Sequence, residues 1–255
     1  MRSPLNKRLF RELRGEFGKY LVIFILMTLT IGMVSGFLVA DGSMIQAYEE
    51  SFEKYNIENG HFRTEKKMNN AQIQDVEHLG IKLYENYYVE EALTNGSTMR
   101  IFKNRDEVNK VCLMKGKMPE KPGEIGIDRM YADNNDLSVG DEIESGGHTW
   151  KITGLVALSD YSALFSNNND SMFDSVKFGV SVVCPEEFDS YKADQLNYSY
   201  AWKYNTEPKN EKAEKDISED LMEDVAKEVT LEEFVPRYTN QAIIFTGDDM
   251  GGDRS

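Results

Sequence analysis

Three histidines, His61, His78 and His148, and two cysteines, Cys112 and Cys184, are the side chains best suited to ligate a metal or attack an electrophile. Metal sites gather such residues at short, repeated spacings, and none of the five stands at such a spacing from another. No Gly-x-Ser-x-Gly elbow, no His-Glu-x-x-His and no Cys-x-x-Cys occurs, so acyl transfer, zinc hydrolysis and dithiol exchange lack their usual apparatus. A P-loop is also missing, which removes that route to ATP. Asp160 and Asp170 flank a polar loop, and Asp248-Asp249 lies near the end. Carboxylates so placed can hold a cation, but they read here as solvated loop acids. The expectation is therefore no catalytic, cofactor-binding or metal-binding residue, and no enzyme. Each cysteine lies in an apolar run (Val111-Cys112-Leu113; Val182-Val183-Cys184). Buried free thiols are expected; a disulfide is permitted but not required.

Charge is distributed unevenly. The first twenty residues hold six basic side chains (Arg2, Lys7, Arg8, Arg11, Arg14, Lys19) and two acidic ones (Glu12, Glu16), and 21–40 hold none. With 29 basic and 44 acidic residues in all, the remainder carries 23 against 42, a net of −19. So acidic a surface repels phosphate backbones, and no nucleic-acid partner is expected.

The charge-free stretch from Tyr20 to Ala40 reads YLVIFILMTLTIGMVSGFLVA. It matches the ~20 residues that cross a hydrocarbon core. It is longer than the apolar part of a cleaved signal, and Ala40-Asp41-Gly42-Ser43-Met44 is a poor cleavage site. The basic flank places the N-terminus in the cytoplasm and everything after Ala40 outside. Leu5, Leu9, Phe10, Leu13 and Phe17 share one helical arc opposite Lys7, Arg8, Arg11 and Arg14, which predicts an amphipathic helix over 1–19 lying on membrane lipid. Gly32 and Gly36 form a small-xxx-small step where another helix can approach.

Beyond the span, Met44 to Tyr55 continues as helix. Strands are predicted at His61–Thr64, Ile81–Val89, Thr98–Phe102, Glu107–Met114, Ile125–Ile127, Val176–Cys184, Tyr198–Tyr204 and Ala242–Phe245. A hairpin runs from Glu142-Ile143-Glu144 through Gly146-Gly147 into Thr149–Leu158. Helices are predicted at Asn69–Leu79, with an Asn cap and Gly80 as stop, at Arg129–Asn135, at Pro185–Tyr191, and at Asn210–Val229 with Ile217, Leu221, Val225 and Val229 on one face. Ser159–Phe173 reads as a loop and 247–255 as a mobile tail. The mixture predicts an α+β domain over 41–246, preceded by the cytoplasmic helix (1–19) and the transmembrane helix (20–40).

One stretch carries a family pattern: Lys115-Gly116-Lys117-Met118-Pro119, Lys121-Pro122-Gly123-Glu124-Ile125-Gly126-Ile127, Leu137-Ser138-Val139-Gly140-Asp141-Glu142-Ile143 and Trp150-Lys151-Ile152-Thr153-Gly154-Leu155-Val156. It resembles the extracytoplasmic core domain of FtsX/MacB-like ABC-transporter permeases, with Lys117 where that pattern usually has Arg. Physically these are fold positions: Gly116 and Pro119 shape a turn, Gly140-Asp141 a tight strand entry, and Gly154 a close contact or bulge. The resemblance implies a bacterial plasma-membrane permease subunit. Its partners would be a cytoplasmic ABC ATPase, which hydrolyses ATP, and a second permease half or identical copy. Segments Met44–Tyr55 and Asn210–Val229 would transmit movement to the outer domain. Such permeases have at least four spans, so the chain is expected to be a fragment ending before the second. A single-span anchored binding or sensor protein is the alternative.

Overall fold

The computed structural model describes residues 14–145 and 147–249. They divide into two compact units that part between Tyr48 and Glu49. Most of the amphipathic helix expected over 1–19, one residue of the Gly146-Gly147 turn, and the tail over 250–255 lie outside the described residues.

The first unit is dominated by α1 (Phe17–Lys54), an unbroken 38-residue helix whose end, from Glu49, belongs to the second unit. Its part from Phe17 to Phe37 is long and apolar enough to cross a membrane, and every side chain there is exposed. A helix apolar on all sides and covered by none of its own chain is built for an apolar surrounding. Both its threonine hydroxyls in this run are satisfied locally: Thr28 donates to the Phe24 carbonyl and Thr30 to the Leu26 carbonyl, each at 2.8 Å, so neither is a lone polar group in hydrocarbon.

The second unit contains two sheets. Strands β1 (Gly60–Thr64) and β2 (Ile81–Glu85) come before the larger sheet in sequence, and β10 (Tyr198–Tyr204) and β11 (Leu231–Pro236) after it. They form a four-stranded antiparallel sheet in the order β11-β1-β10-β2. Helices α2 (Asn70–Glu77) and α5 (Glu211–Glu228) connect β1 to β2 and β10 to β11, which makes two interlocked βαβ units, the split arrangement of ferredoxin-like folds. α2 begins with a capping box between Asn69 and Gln72 and ends before Gly80, whose φ is +95°. On the face towards the helices, Phe62, Tyr200, Trp202 and Phe234 stack across three strands, with Trp202 and Phe234 ring centres 4.7 Å apart.

Inserted between β2 and β10 is a seven-stranded mixed sheet. Its strands are β3 (Tyr88–Ala92), β4 (Thr98–Lys103), β5 (Val111–Gly116), β6 (Glu124–Asp128), β7 (Glu142–Ser145), β8 (His148–Leu158) and β9 (Phe178–Val183). They run β3-β4-β9-β6-β8-β5, with β7 paired to β8. Short helices α3 (Arg129–Asn134) and α4 (Pro185–Phe188) follow β6 and β9. The family-like stretch lies here. Gly154 of β8 is in register with Gly116 of β5 on one side and Gly126 of β6 on the other. A Cβ on Gly154 would come 2.5 Å from the Lys117 carbonyl oxygen, and Gly116 has a φ of +80°. Glycine alone lets the turn after β5 lie this close across β8. The β6–β8 register also slips at Ile125/Gly126, so the close approach and a bulge occur together.

The α+β class expected from sequence is what the structure shows, and several elements differ. The single strand expected over Ile81–Val89 is two strands in different sheets. Asn86 still donates to the Ser199 carbonyl and Tyr88 to that of Asn197, so the chain bends from one sheet into the other without a Gly or Pro to mark it. Ala242–Phe245 is not a strand: it lies in α6 (Gln241–Asp249), started by the Asn240 side chain, which accepts the Ala242 amide. Leu231–Pro236, unassigned from sequence, is the edge strand β11; its two glutamates hid the pattern. β5 starts only at Val111, because the preceding residues loop through Asn109 at φ +48°. In α5, Leu221 and Val225 are buried, while Ile217 is exposed. Both cysteines are free thiols, but only Cys184 is buried; Cys112 is half-buried because β5 is an edge strand.

Candidate functional site

Alternation along β1 determines what the four-stranded sheet offers on its second face. Phe62 points to the helices; His61 and Arg63 point the other way, joined by Ser199 and Glu233, which lie opposite Arg63 on β10 and β11. This polar face is one wall of a cleft of about 460 Å³. The other wall is the β3–β4–β9 end of the larger sheet, including Tyr88, Glu90, Arg100 and Phe178. Parts of the loop after β8 and the start of α6 close the rim.

A buried network of charged groups lies behind the cleft and reaches it through His61, Asn86 and Asp160. Arg105 binds Asp160 through two hydrogen bonds of 2.7 Å and donates to the Asn86 side chain at 2.9 Å. Its guanidinium lies 4.6 Å from the centre of the Phe102 ring. Asn109 donates to Glu58 at 2.6 Å, and its side-chain oxygen accepts the Glu58 amide at 2.9 Å. His61 Nδ1 lies 2.6 Å from the other Glu58 oxygen. The strained Asn109 is held by backbone bonds to the turn after α1: its amide donates to the Asn56 carbonyl, and that of Lys110 to Tyr55.

The electrostatics follow from this geometry. Burial alone would lower the His61 pKa, but the Glu58 carboxylate, by charge and hydrogen bond, more than reverses this and raises it. For Glu58, burial pushes upward, and the opposing effects of His61, Asn109 and Arg105 hold it below its ordinary value. Burial pushes Asp160 up, against the pull of Arg105, with Glu58 adding to the rise. Two carboxylates facing one guanidinium are balanced when His61 is protonated. Its Nε2, which has no partner among the described residues, is then a donor to the cleft and not a base.

The upper wall is also self-satisfied. Arg100 donates twice to Glu90 (2.6 and 2.9 Å), to Tyr161 Oη (2.7 Å) and to the Ser166 carbonyl (2.8 Å). Its guanidinium sits 4.5 and 5.0 Å from the Tyr88 and Phe178 ring centres.

The residues weighed from sequence therefore meet different outcomes. His61, read as isolated, is joined to Glu58 three residues earlier. Asp160, read as solvated, is buried and ion-paired. Asp170 shapes its loop by accepting Ser166 Oγ and the Asn167 amide, the former being the main cause of its lowered pKa. His78 caps α2, and the His148 ring packs edge-on against Trp150. The backbone of Asp248-Asp249 is in α6, and their side chains are outside the description. Among the described residues no group of three His, Cys, Asp or Glu could hold a metal ion. Arg100, Arg105 and Asn109 were missed, for no local pattern marks them.

No protein-family model matches the chain, and no curated protein matches it. Among solved structures, it is similar to the periplasmic region of MacB from Actinobacillus actinomycetemcomitans, at 11% identity and a TM-score of 0.36, covering 67% of this chain and 85% of that one. It is also similar to the extracellular domain of the noncanonic ABC-type transporter YknZ from Gram-positive bacteria, at 8% identity and a TM-score of 0.38, covering 67% of this chain and 91% of that one. At these identities and TM-scores, neither likeness bears on the roles of individual residues here.

Proposed function

We propose that this chain is a permease subunit of an ABC transporter of the FtsX/MacB kind, with the acidic second unit outside the bacterial plasma membrane. The observation that carries this reading is the charge-free, fully exposed run of α1, which has a basic flank before it and a folded acidic domain after it. By the positive-inside rule the N-terminus is cytoplasmic. The subunit itself hydrolyses nothing: a separate cytoplasmic ATPase supplies the energy, and a second permease half or a second copy completes the membrane part. Movement at the membrane reaches the outer domain through α1, and the turn that follows it is bonded to the Asn109 loop.

Two measurements test it together. In intact cells, a membrane-impermeant thiol reagent is expected to label the half-buried Cys112 of the chain, and mild-detergent purification to bring down an ABC ATPase. Labelling only after lysis overturns the orientation; purification without an ATPase overturns the transporter.

A further inference from the structure

Several charged groups lining the cleft are already spent. Glu90 and Arg100 satisfy each other, and both oxygens of Asp160 face Arg105. The remainder have capacity to spare. His61 offers Nε2. Arg63 is tied by Nη1 to Glu232 at 2.8 Å, and its Nε stands 3.7 Å from Glu233, so Nη2 is uncommitted among the described residues. Glu233 has no closer polar partner among the described residues. On the other side, Lys177 has no ion pair among the described residues, and Asp174 uses one oxygen for the Val176 and Lys177 amides.

The spare groups are of both signs. His61 and Arg63 are two residues apart on one face of β1, so their Cα atoms lie about 6.6 Å apart. Two long donors at that spacing can converge on the two oxygens of one carboxylate. Glu233 beside them, and Asp174 at the rim, are acceptors for an ammonium group. The half-buried Tyr88 ring completes the lining on the opposite wall, backed by Arg100 and the buried Phe178. The volume falls in the range of about 300–1,000 Å³ typical of small-molecule sites. A simple anion fits poorly, because it would leave the acceptors unanswered in a domain already strongly acidic.

We propose that the cleft between the two sheets binds a free aromatic α-amino acid, with its carboxylate on His61 and Arg63, its ammonium on Glu233 and its ring against the half-buried Tyr88. This site is independent of any transporter role: it would serve an anchored sensor equally well.

Isothermal titration of the full chain in detergent at about pH 6, below the raised His61 pKa, is the test. Three probes separate the charges: L-phenylalanine, phenylacetate (carboxylate only) and phenethylamine (ammonium only). One L-phenylalanine per chain is expected, with each analogue about tenfold weaker or worse. Arg63→Gln should weaken L-phenylalanine about tenfold. Glu233→Gln should do the same while leaving phenylacetate unchanged, which a merely misfolded variant would not. The proposal is overturned by the absence of saturable L-phenylalanine binding up to about 10 mM, by phenylacetate binding equally well, or by Arg63→Gln binding like the parent chain.

Discussion

The two faces of the four-stranded sheet are made from the same strands and obey opposite rules. On one face Phe62, Tyr200, Trp202 and Phe234 stack under α2 and α5. On the other, His61, Arg63, Ser199 and Glu233 look across the cleft towards the larger sheet, with buried ion pairs behind them. The aromatic face derives its stability from area removed from water, a non-directional gain. The polar face gains little from its charges unless each has its partner, because an unpaired buried charge costs more than the pair contributes. Fold stability therefore resides in the first face, and specificity of arrangement in the second.

The contrast can be tested by substitution. Trp202→Ala should have the largest effect, costing about 3–5 kcal/mol in urea unfolding. Its buried indole nitrogen has no well-formed hydrogen bond among the described residues, so the loss is chiefly one of packing. Arg105→Ala should cost about 3 kcal/mol by stranding Asp160, and the double variant Arg105→Met/Asp160→Leu should recover most of that. If the double variant is as unstable as the single one, the ion pair contributes more than geometry and the contrast fails.

Of the two faces of this sheet, the polar one should carry the response to pH near neutrality; a separate response comes from Asp128 at the start of α3, whose pKa burial pushes up to about 6. His61 has a raised pKa in the folded chain, so its contribution is complete below the ordinary value near 6.5 and is lost as pH rises through the folded value. Glu58 has a lowered one, so its contribution is complete above about 4.5 and is lost as pH falls through the folded value. Thermal unfolding should show these two groups jointly most favourable between those limits. His61→Gln should flatten the alkaline limb, and Trp202→Phe should leave the shape unchanged. The smallest effect belongs to Arg63→Ala, whose partly exposed pairing with Glu232 is worth about 0–1 kcal/mol. A larger loss on chemical denaturation would mean that the cleft wall is structural.

The same contrast explains what could be read from sequence. Alternation identified β1, β4 and β10, and the Asn69 cap with Gly80 bounded α2, because those signals are local. The glycine pattern from Gly116 to Gly154 marked the close crossing of β5 and β8. The buried charged network was illegible: Arg105 and Asp160 meet only because β8 returns to the loop before β5, and nothing within a few residues of either records that. His61 and Glu58, three residues apart, were within reach of a local reading, but an Asn109 brought in from beyond β4 completes the pair. The bend at Asn86 was hidden for a similar reason: the residues there suit a strand, and only the separate pairing partners show that the sheet changes.

The order in which the strands leave the ribosome has its own consequence. β1 and β2 emerge early, yet the strand that lies between them, β10, starts only at Tyr198, after the whole seven-stranded sheet has been made. Until then β1, with Phe62, and β2, with Ile81 and Leu83, hold apolar faces that have no neighbour to pair with, and loop closure over so long an insertion is slow. The four-stranded sheet is thus a clasp fastened last. A nascent chain stalled before Tyr198 would present unpaired edges to any other chain nearby, so aggregation in this protein should be traced to interrupted synthesis before it is sought in the finished fold.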